Sequence, residues 1–324
     1  MTSLALLGWA AAVVTLARPV LTAPWLASQP RLAVWLWLGA ELSVAGAVLA
    51  AGLLVAVPPA ALAAGLAGIV AACKQALADL GAPNATLAVV GLVATSVLAA
   101  RLLAALVVTF TTARRWRRRH RAALLPLARQ DVGAGWTVVE HTAPVVYCLP
   151  GRPGQVVVTS AALDALTEAE FAAVLRHERA HLRGRHHVLV ALAVAFRRAL
   201  PGLPMADAAE TEIRRLVEHL ADDRASERHG RHAVATAIVQ LADRTPRHAL
   251  GAAGAADRVR RMLAPPTRPR ARHRLVAAGA IGLLLAGPPA VAVASAGLAV
   301  EHATCSTGSS PTAAGPAASQ SPGG

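Results

Sequence analysis

Four apolar runs, residues 4–17, 32–57, 87–110 and 275–300, constrain the fold more than any other feature of the chain. About 20 apolar residues in a helix cross the ~30 Å hydrocarbon core of a bilayer, where only helices or closed barrels satisfy the backbone. The chain as a whole agrees, since 55% of its 324 residues are hydrophobic and its mean hydropathy is +0.48, too apolar for an ordinary soluble domain. No Lys or Arg precedes Arg18, so the first run lacks the basic start of a secretory signal and reads as an uncleaved first span. Residues 60–73 are also apolar, but the stretch is short before Lys74 and is expected to be re-entrant or interfacial rather than spanning.

Charge sets the expected orientation. The net charge of +14 is concentrated beside the apolar runs. It is densest at residues 114–121 (RRWRRRHR), a marker of the cytoplasmic side and a partner for anionic lipid of the bilayer. With Arg18 and Arg31 bracketing a short cytoplasmic turn, both termini are expected outside. Direct nucleic-acid binding is not expected, because neither a separate basic domain nor interleaved aromatics accompanies the cluster. Glu41 and Arg101 lie inside apolar runs, each about nine residues, or roughly 13 Å of helix, from the predicted cytoplasmic end. A lone charge there costs on the order of 3 kcal/mol, so their equal depth predicts an intramembrane ion pair. The expected organisation is three spans and the basic cluster over residues 1–121, a soluble domain over 122–269, a fourth span over 270–300 and a disordered extracytoplasmic tail over 301–324. Cys73, Cys148 and Cys305 are scattered, which indicates neither a disulfide framework nor a thiolate metal site.

Within the soluble stretch, residues 136–140, 144–149 and 155–159 read as short strands, with a turn at 151–154. Thr167-Glu168-Ala169-Glu170 then reads as a capping box, followed at helical spacing by Phe171, Val174 and Leu175. The helix so started carries LRHERAHL, in which His177 and His181 are four apart and share a face. Neutral imidazoles are good Zn²⁺ ligands, and a third protein ligand would leave a position open for water. Metal-bound water can reach a pKa of about 7, and Glu178 is placed to take its proton while the metal polarises a carbonyl. This is the chemistry of peptide hydrolysis. A strand edge near such a helix also suits it, because an extended substrate backbone can add to that edge.

Two residues compete for the third ligand. Read literally, residues 177–187 spell HExxHxxGxxH, with Gly184 and His187 where a metzincin has its helix-breaking Gly and third His. Such a site needs the chain to turn, whereas the residues after Gly184 resume an apolar helical run, and Met205 lies in an ordinary Pro-rich linker. Glu218 and Asp222, four apart on a helix over 206–229 that stops at Gly230, are the better candidates. Glu218 completes a His₂Glu set, and Asp222 can accept the free ring N–H of a ligand His. Arg224, His219 and His229 are candidates for stabilising the oxyanion. Further helices are expected at 187–196 and 231–242, and an Arg-rich stretch over 258–274 leads to the last run.

The order of three spans, a basic cluster, a HERAH helix, a downstream ExxAD helix and a fourth span resembles the BlaR/MecR-type membrane metallopeptidases. The HExxH and ExxAD pair is also similar to that of the HtpX and CAAX prenyl protease class. The resemblance implies an α-helical membrane protein with four transmembrane helices and a cytoplasmic α+β zincin-like (gluzincin) domain inserted between the third and fourth. It further implies Zn²⁺ held by His177, His181 and Glu218, with Glu178 as the base, and regulated proteolysis of a BlaI/MecI-like winged-helix repressor or of the protein itself. No penicillin-binding sensor domain follows the last run, so β-lactam sensing is not expected. The competing class is a non-catalytic membrane receptor or scaffold with a structural zinc site, in which His187 or His219 would supply a fourth ligand.

Overall fold

Prolines start several of the helices, which is where a missing N–H costs nothing. The structure, a computed structural model, describes residues 2–57, 61, 64–79, 83–124, 128–131, 135–243, 252–265 and 271–307. The chain begins with α1 (Thr2–Leu21), the single turn α2 (Pro24–Ala27), α3 (Pro30–Ala56), α4 (Gly65–Ala78) and α5 (Pro83–Leu124). Four strands follow, β1 (Ala128–Asp131), β2 (Trp136–Val139), β3 (Val146–Leu149) and β4 (Gln155–Thr159). The remainder is helical: α6 (Ser160–Ala165), α7 (Glu168–Arg183), α8 (His186–Ala199), α9 (Pro204–His229), α10 (Arg231–Asp243), α11 (Ala252–Leu263) and α12 (Ala271–Thr307).

Among the described residues, four helical stretches are long and apolar enough to cross a membrane: Thr2–Leu21, Pro30–Ala56, Ala85–Leu124 and Ala271–Val293. The 14 residues of α4 rise about 21 Å, short of the hydrocarbon thickness. The third apolar run does not end at the basic cluster. It continues as one 42-residue helix through residues 114–121 to Leu124, since Arg is a good helix former. The first seven residues of the expected disordered tail, 301–307, instead continue the last helix, and the rest of the tail lies outside the described residues.

α3 is the hub of the helix bundle. Trp37 and Ala47 on it are fully buried, and Trp9 of α1 donates its indole N–H to Ser43 at 2.9 Å. A Cβ added at Gly52 would lie 2.1 Å from the Thr95 hydroxyl, so glycine there permits the close approach of α3 and α5. The same core takes in Ala193 and Phe196 of α8, Ala277 of α12, and Met205, Ala209, Ile213 and Val217 of α9. The α8–α9 hairpin thus packs into the bundle. Arg101 of α5 donates to the Ala199 carbonyl at the end of α8 (3.1 Å), and Arg198 donates to Thr109 (3.1 Å).

This arrangement corrects the expected Glu41–Arg101 pair. Arg101 is spent on a main-chain carbonyl, while Glu41, 3% exposed, has a carboxyl oxygen without a hydrogen-bond partner and feels the charge of Glu210 of α9. The hairpin, not the opposite span, meets each of them.

The sheet has the order β1-β2-β4-β3, with β2 and β4 parallel and the outer pairs antiparallel. β4 reads as a Val run because it is central and covered on both faces. Val156 and Val158 face Leu175 of α7, whereas Val157 joins Val139, Leu149 and Leu124, the last residue of α5. β3 is the edge strand beside α7 and pairs only with β4.

Candidate metal centre

α7 starts on the capping box: the Thr167 side chain accepts from the Glu170 amide, and the Glu170 carboxylate accepts from the Thr167 amide at 2.9 Å. Two turns on, His177 and His181 bring their Nε2 atoms to 3.0 Å from each other. α9 packs along α7 and supplies Glu218, whose carboxylate oxygens lie 3.4 Å from His177 Nε2 and 3.5 Å from His181 Nε2. Among the described residues, these three form the one group of His, Cys, Asp or Glu side chains able to hold a metal ion. Zn²⁺ with bonds of about 2.0–2.1 Å in a tetrahedron has ligand-to-ligand edges of about 3.3–3.4 Å. The three observed edges straddle that value, so the donor set fits a tetrahedral cation and would leave it one position for a non-protein ligand.

The far nitrogens of both rings are also held. Asp222, one turn beyond Glu218 and fully buried, lies 3.0 Å from His177 Nδ1. His186, at the start of α8, lies 2.9 Å from His181 Nδ1. Partners of this kind fix ring orientation and tautomer. His186 reaches its place through a tight turn in which Arg185 adopts φ +49°. A Cβ at Gly184 would meet the His186 ring at 2.4 Å, which explains the glycine of the HExxHxxG string without a metzincin turn. His187 is not in the cluster; its Nδ1 is buried without a partner, and its charged neighbours are Arg117 and Arg185.

Arg258 of α11 closes the constellation. It clamps Asp222 with two hydrogen bonds of 2.6 and 2.8 Å and lies 3.1 Å from Glu218. Burial alone would raise both carboxyls, but the bonds from Arg258 and His177 hold Asp222 far below the usual carboxylate range, and His177 with its neighbouring charges holds Glu218 at about 2. Burial likewise disfavours the His177 cation, yet Asp222 and Glu218 outweigh it and lift its pKa to about 9. Burial and the adjacent His177 drive His181 down to about 3. Glu178, half-buried in the cavity wall, is pushed up by desolvation and accepts hydrogen bonds from the thiol and main chain of Cys148 on β3. Burial and that carboxylate in turn push the Cys148 thiol up, so it is a proton donor.

All of these groups line one cavity of about 490 Å³. One wall is the edge strand, residues 144–148, and another is apolar, from Val234, Ile238 and Leu241 of α10. None of the three residues proposed for the oxyanion reaches it. Arg224 pairs with Glu227 on the exposed face of α9, His219 is buried facing Asp257 at 3.4 Å, and His229 is at the far end of α9. The cation at the cavity is Arg258. The only sequence signal for it is the i, i+3 pair Arg258 and Arg261, which matches the adjacent acids: Arg261 pairs with Asp223 at 2.8 Å just as Arg258 pairs with Asp222.

Two imidazoles and a carboxylate converging on one point, with a half-buried glutamate and a strand edge at the same cavity, make the class of site that of a metallopeptidase. The sequence model of Peptidase family M48 matches residues 113–241, from the last turns of α5 to the end of α10. M48 peptidases are typically zinc-dependent. No curated protein and no solved structure matches the chain.

Proposed function

We propose that this chain is a membrane-embedded, zinc-dependent endopeptidase that cuts a protein substrate on the cytoplasmic side of a cell membrane in regulated proteolysis. The observation that carries the reading is the meeting, in one cavity, of the His177–His181–Glu218 donor set, the half-buried Glu178 carboxyl and the β3 edge that no strand covers among the described residues. Zinc held there supplies Lewis-acid polarisation of the scissile carbonyl and lowers the pKa of water. Glu178 takes a proton from the attacking water and passes it to the leaving amine, and its raised pKa suits a base that must give the proton back. The β3 edge receives the substrate backbone as an added strand, and the apolar α10 wall takes a side chain of matching character. Arg258 keeps Glu218 and Asp222 ionised and aimed at the metal position.

A winged-helix repressor of the BlaI/MecI kind, or the chain itself, is the proposed substrate, four spans with both termini outside the proposed topology. The scaffold alternative needs a fourth protein ligand, and its two candidates, His187 and His219, both point elsewhere. The test is to purify wild type and Glu178→Gln in detergent, measure bound zinc, and assay casein, co-expressed repressors and self-cleavage. Equal zinc with cleavage confined to wild type supports the enzyme. A wild type that binds zinc and cuts none of these supports the scaffold.

A further inference from the structure

α5 does not stop at the membrane-facing basic cluster but runs into the peptidase domain and ends against the substrate strand. Its last two polar residues there are both used. His120 Nε2 lies 2.8 Å from the Tyr147 hydroxyl on β3, and Arg121 donates to the Leu149 carbonyl at the end of β3 (3.1 Å) and to the Pro153 carbonyl (2.9 Å). Trp116, one turn earlier, stacks on His120 at 5.0 Å and 7°. Gly151 is what lets Arg121 in, since a Cβ there would lie 2.2 Å from its guanidinium. Leu124 completes the contact by packing under β3 with Tyr147 and Leu149.

An edge strand paired on one side is the least restrained strand of a sheet, and here β3 must also present its other side to substrate. Between Tyr147 and Leu149 sits Cys148, whose main chain and thiol hold Glu178. We propose that His120 and Arg121 are positioning residues for the peptidase reaction: through Tyr147 and Leu149 they fix the height and tilt of β3, so the membrane helix α5 sets how well the strand accepts substrate. This rests on the endopeptidase reading above. A 42-residue helix is continuous from the apolar run to these two contacts, so tilting of α5 in the bilayer moves the strand. An apolar helix answers bilayer thickness by tilting, which makes thickness the variable to which β3 is connected.

The experiment uses the full chain in nanodiscs of phosphatidylcholine with short, medium and long acyl chains, comparing wild type, His120→Ala, Tyr147→Phe, Arg121→Ala and Gly151→Ala. Two readouts are taken: amide hydrogen exchange at residues 146–149, and steady-state cleavage with bound zinc measured alongside. Losing these bonds is expected to speed exchange in β3 and to raise KM about five- to tenfold with kcat within about twofold and zinc retained. Wild type is expected to change KM with bilayer thickness, and Arg121→Ala and Gly151→Ala are expected to lose that dependence. Gly151→Ala leaves both α5 residues intact and displaces only the guanidinium, while Tyr147→Phe removes one hydroxyl, so a general folding defect is separated from loss of positioning. Unchanged exchange at β3 in every variant, or variants that keep the wild-type KM and its response to thickness, overturns the proposal. A wild type that cuts nothing sinks the endopeptidase reading instead, and the exchange measurement still decides whether α5 restrains β3.

Discussion

α9 runs through two regions built on opposite terms. Its first half lies in the helix bundle, where one face, Met205, Ala209, Ile213 and Val217, packs against apolar side chains of α1, α3 and α8. The next residues, Glu218 and Asp222, belong to a connected set of charges in which each group is held by at least two others. Packing of small and branched side chains is graded: a lost methylene costs a little and the neighbours partly relax. A buried polar network is not graded, because removing one member strands its partners. One helix therefore carries a tolerant half and an intolerant half.

That contrast can be broken, starting where the effect is largest. His177→Ala or Glu218→Ala should abolish zinc binding and cleavage together, and metal analysis showing full zinc in Glu218→Ala with none in His187→Ala would overturn the ligand assignment. Glu178→Gln should keep zinc and lower kcat by about 10²–10⁴-fold, the usual contribution of a positioned acid–base group. Asp222→Asn should weaken zinc affinity by about 10–100-fold, as losses of a ligand's orienting partner do. Arg258→Ala should move in the same direction, read by competition with a chelator. In the bundle half, Ile213→Val should cost only about 0.5–1.5 kcal/mol in a detergent melt and leave zinc content unchanged. Loss of zinc in that variant would erase the distinction between the two halves. Glu41→Gln should be neutral or stabilising, because no cation is paired with it; marked destabilisation would restore the ion-pair idea.

Local rules carried the sequence reading where the chemistry is local. His177 and His181 four apart, the Thr167–Glu170 cap, and Glu218 with Asp222 on the helix ended by Gly230 are all short-range patterns, and these side chains do converge. Where two elements had to be docked, the sequence was mute. Rise per residue gave Glu41 and Arg101 the same depth, but depth says nothing of which way each side chain faces around its axis, and the α8–α9 hairpin met both. Arg258 lies on α11 in a stretch read only as Arg-rich, and its one sequence mark, the i, i+3 spacing to Arg261, does not say what it faces. His186 was overlooked beside His187 because adjacent helical residues differ by about 100° in direction, and only the Arg185 turn shows which of them points at His181. β1 was missed as well, since its four residues, ARQD, have no apolar alternation.

Val217 is in the bundle core and Glu218 is one of the three side chains able to hold a metal ion, with no loop between them. Many small metal domains acquire their shape only when the ion arrives, so the ion's binding energy is consumed in ordering the chain. Here the carboxylate is carried on backbone already fixed by the apolar helices, and little conformational freedom is left for the ion to remove. Stripping the metal with a chelator should leave the fold and its melting transition largely in place, and returning zinc should restore cleavage on mixing rather than after refolding.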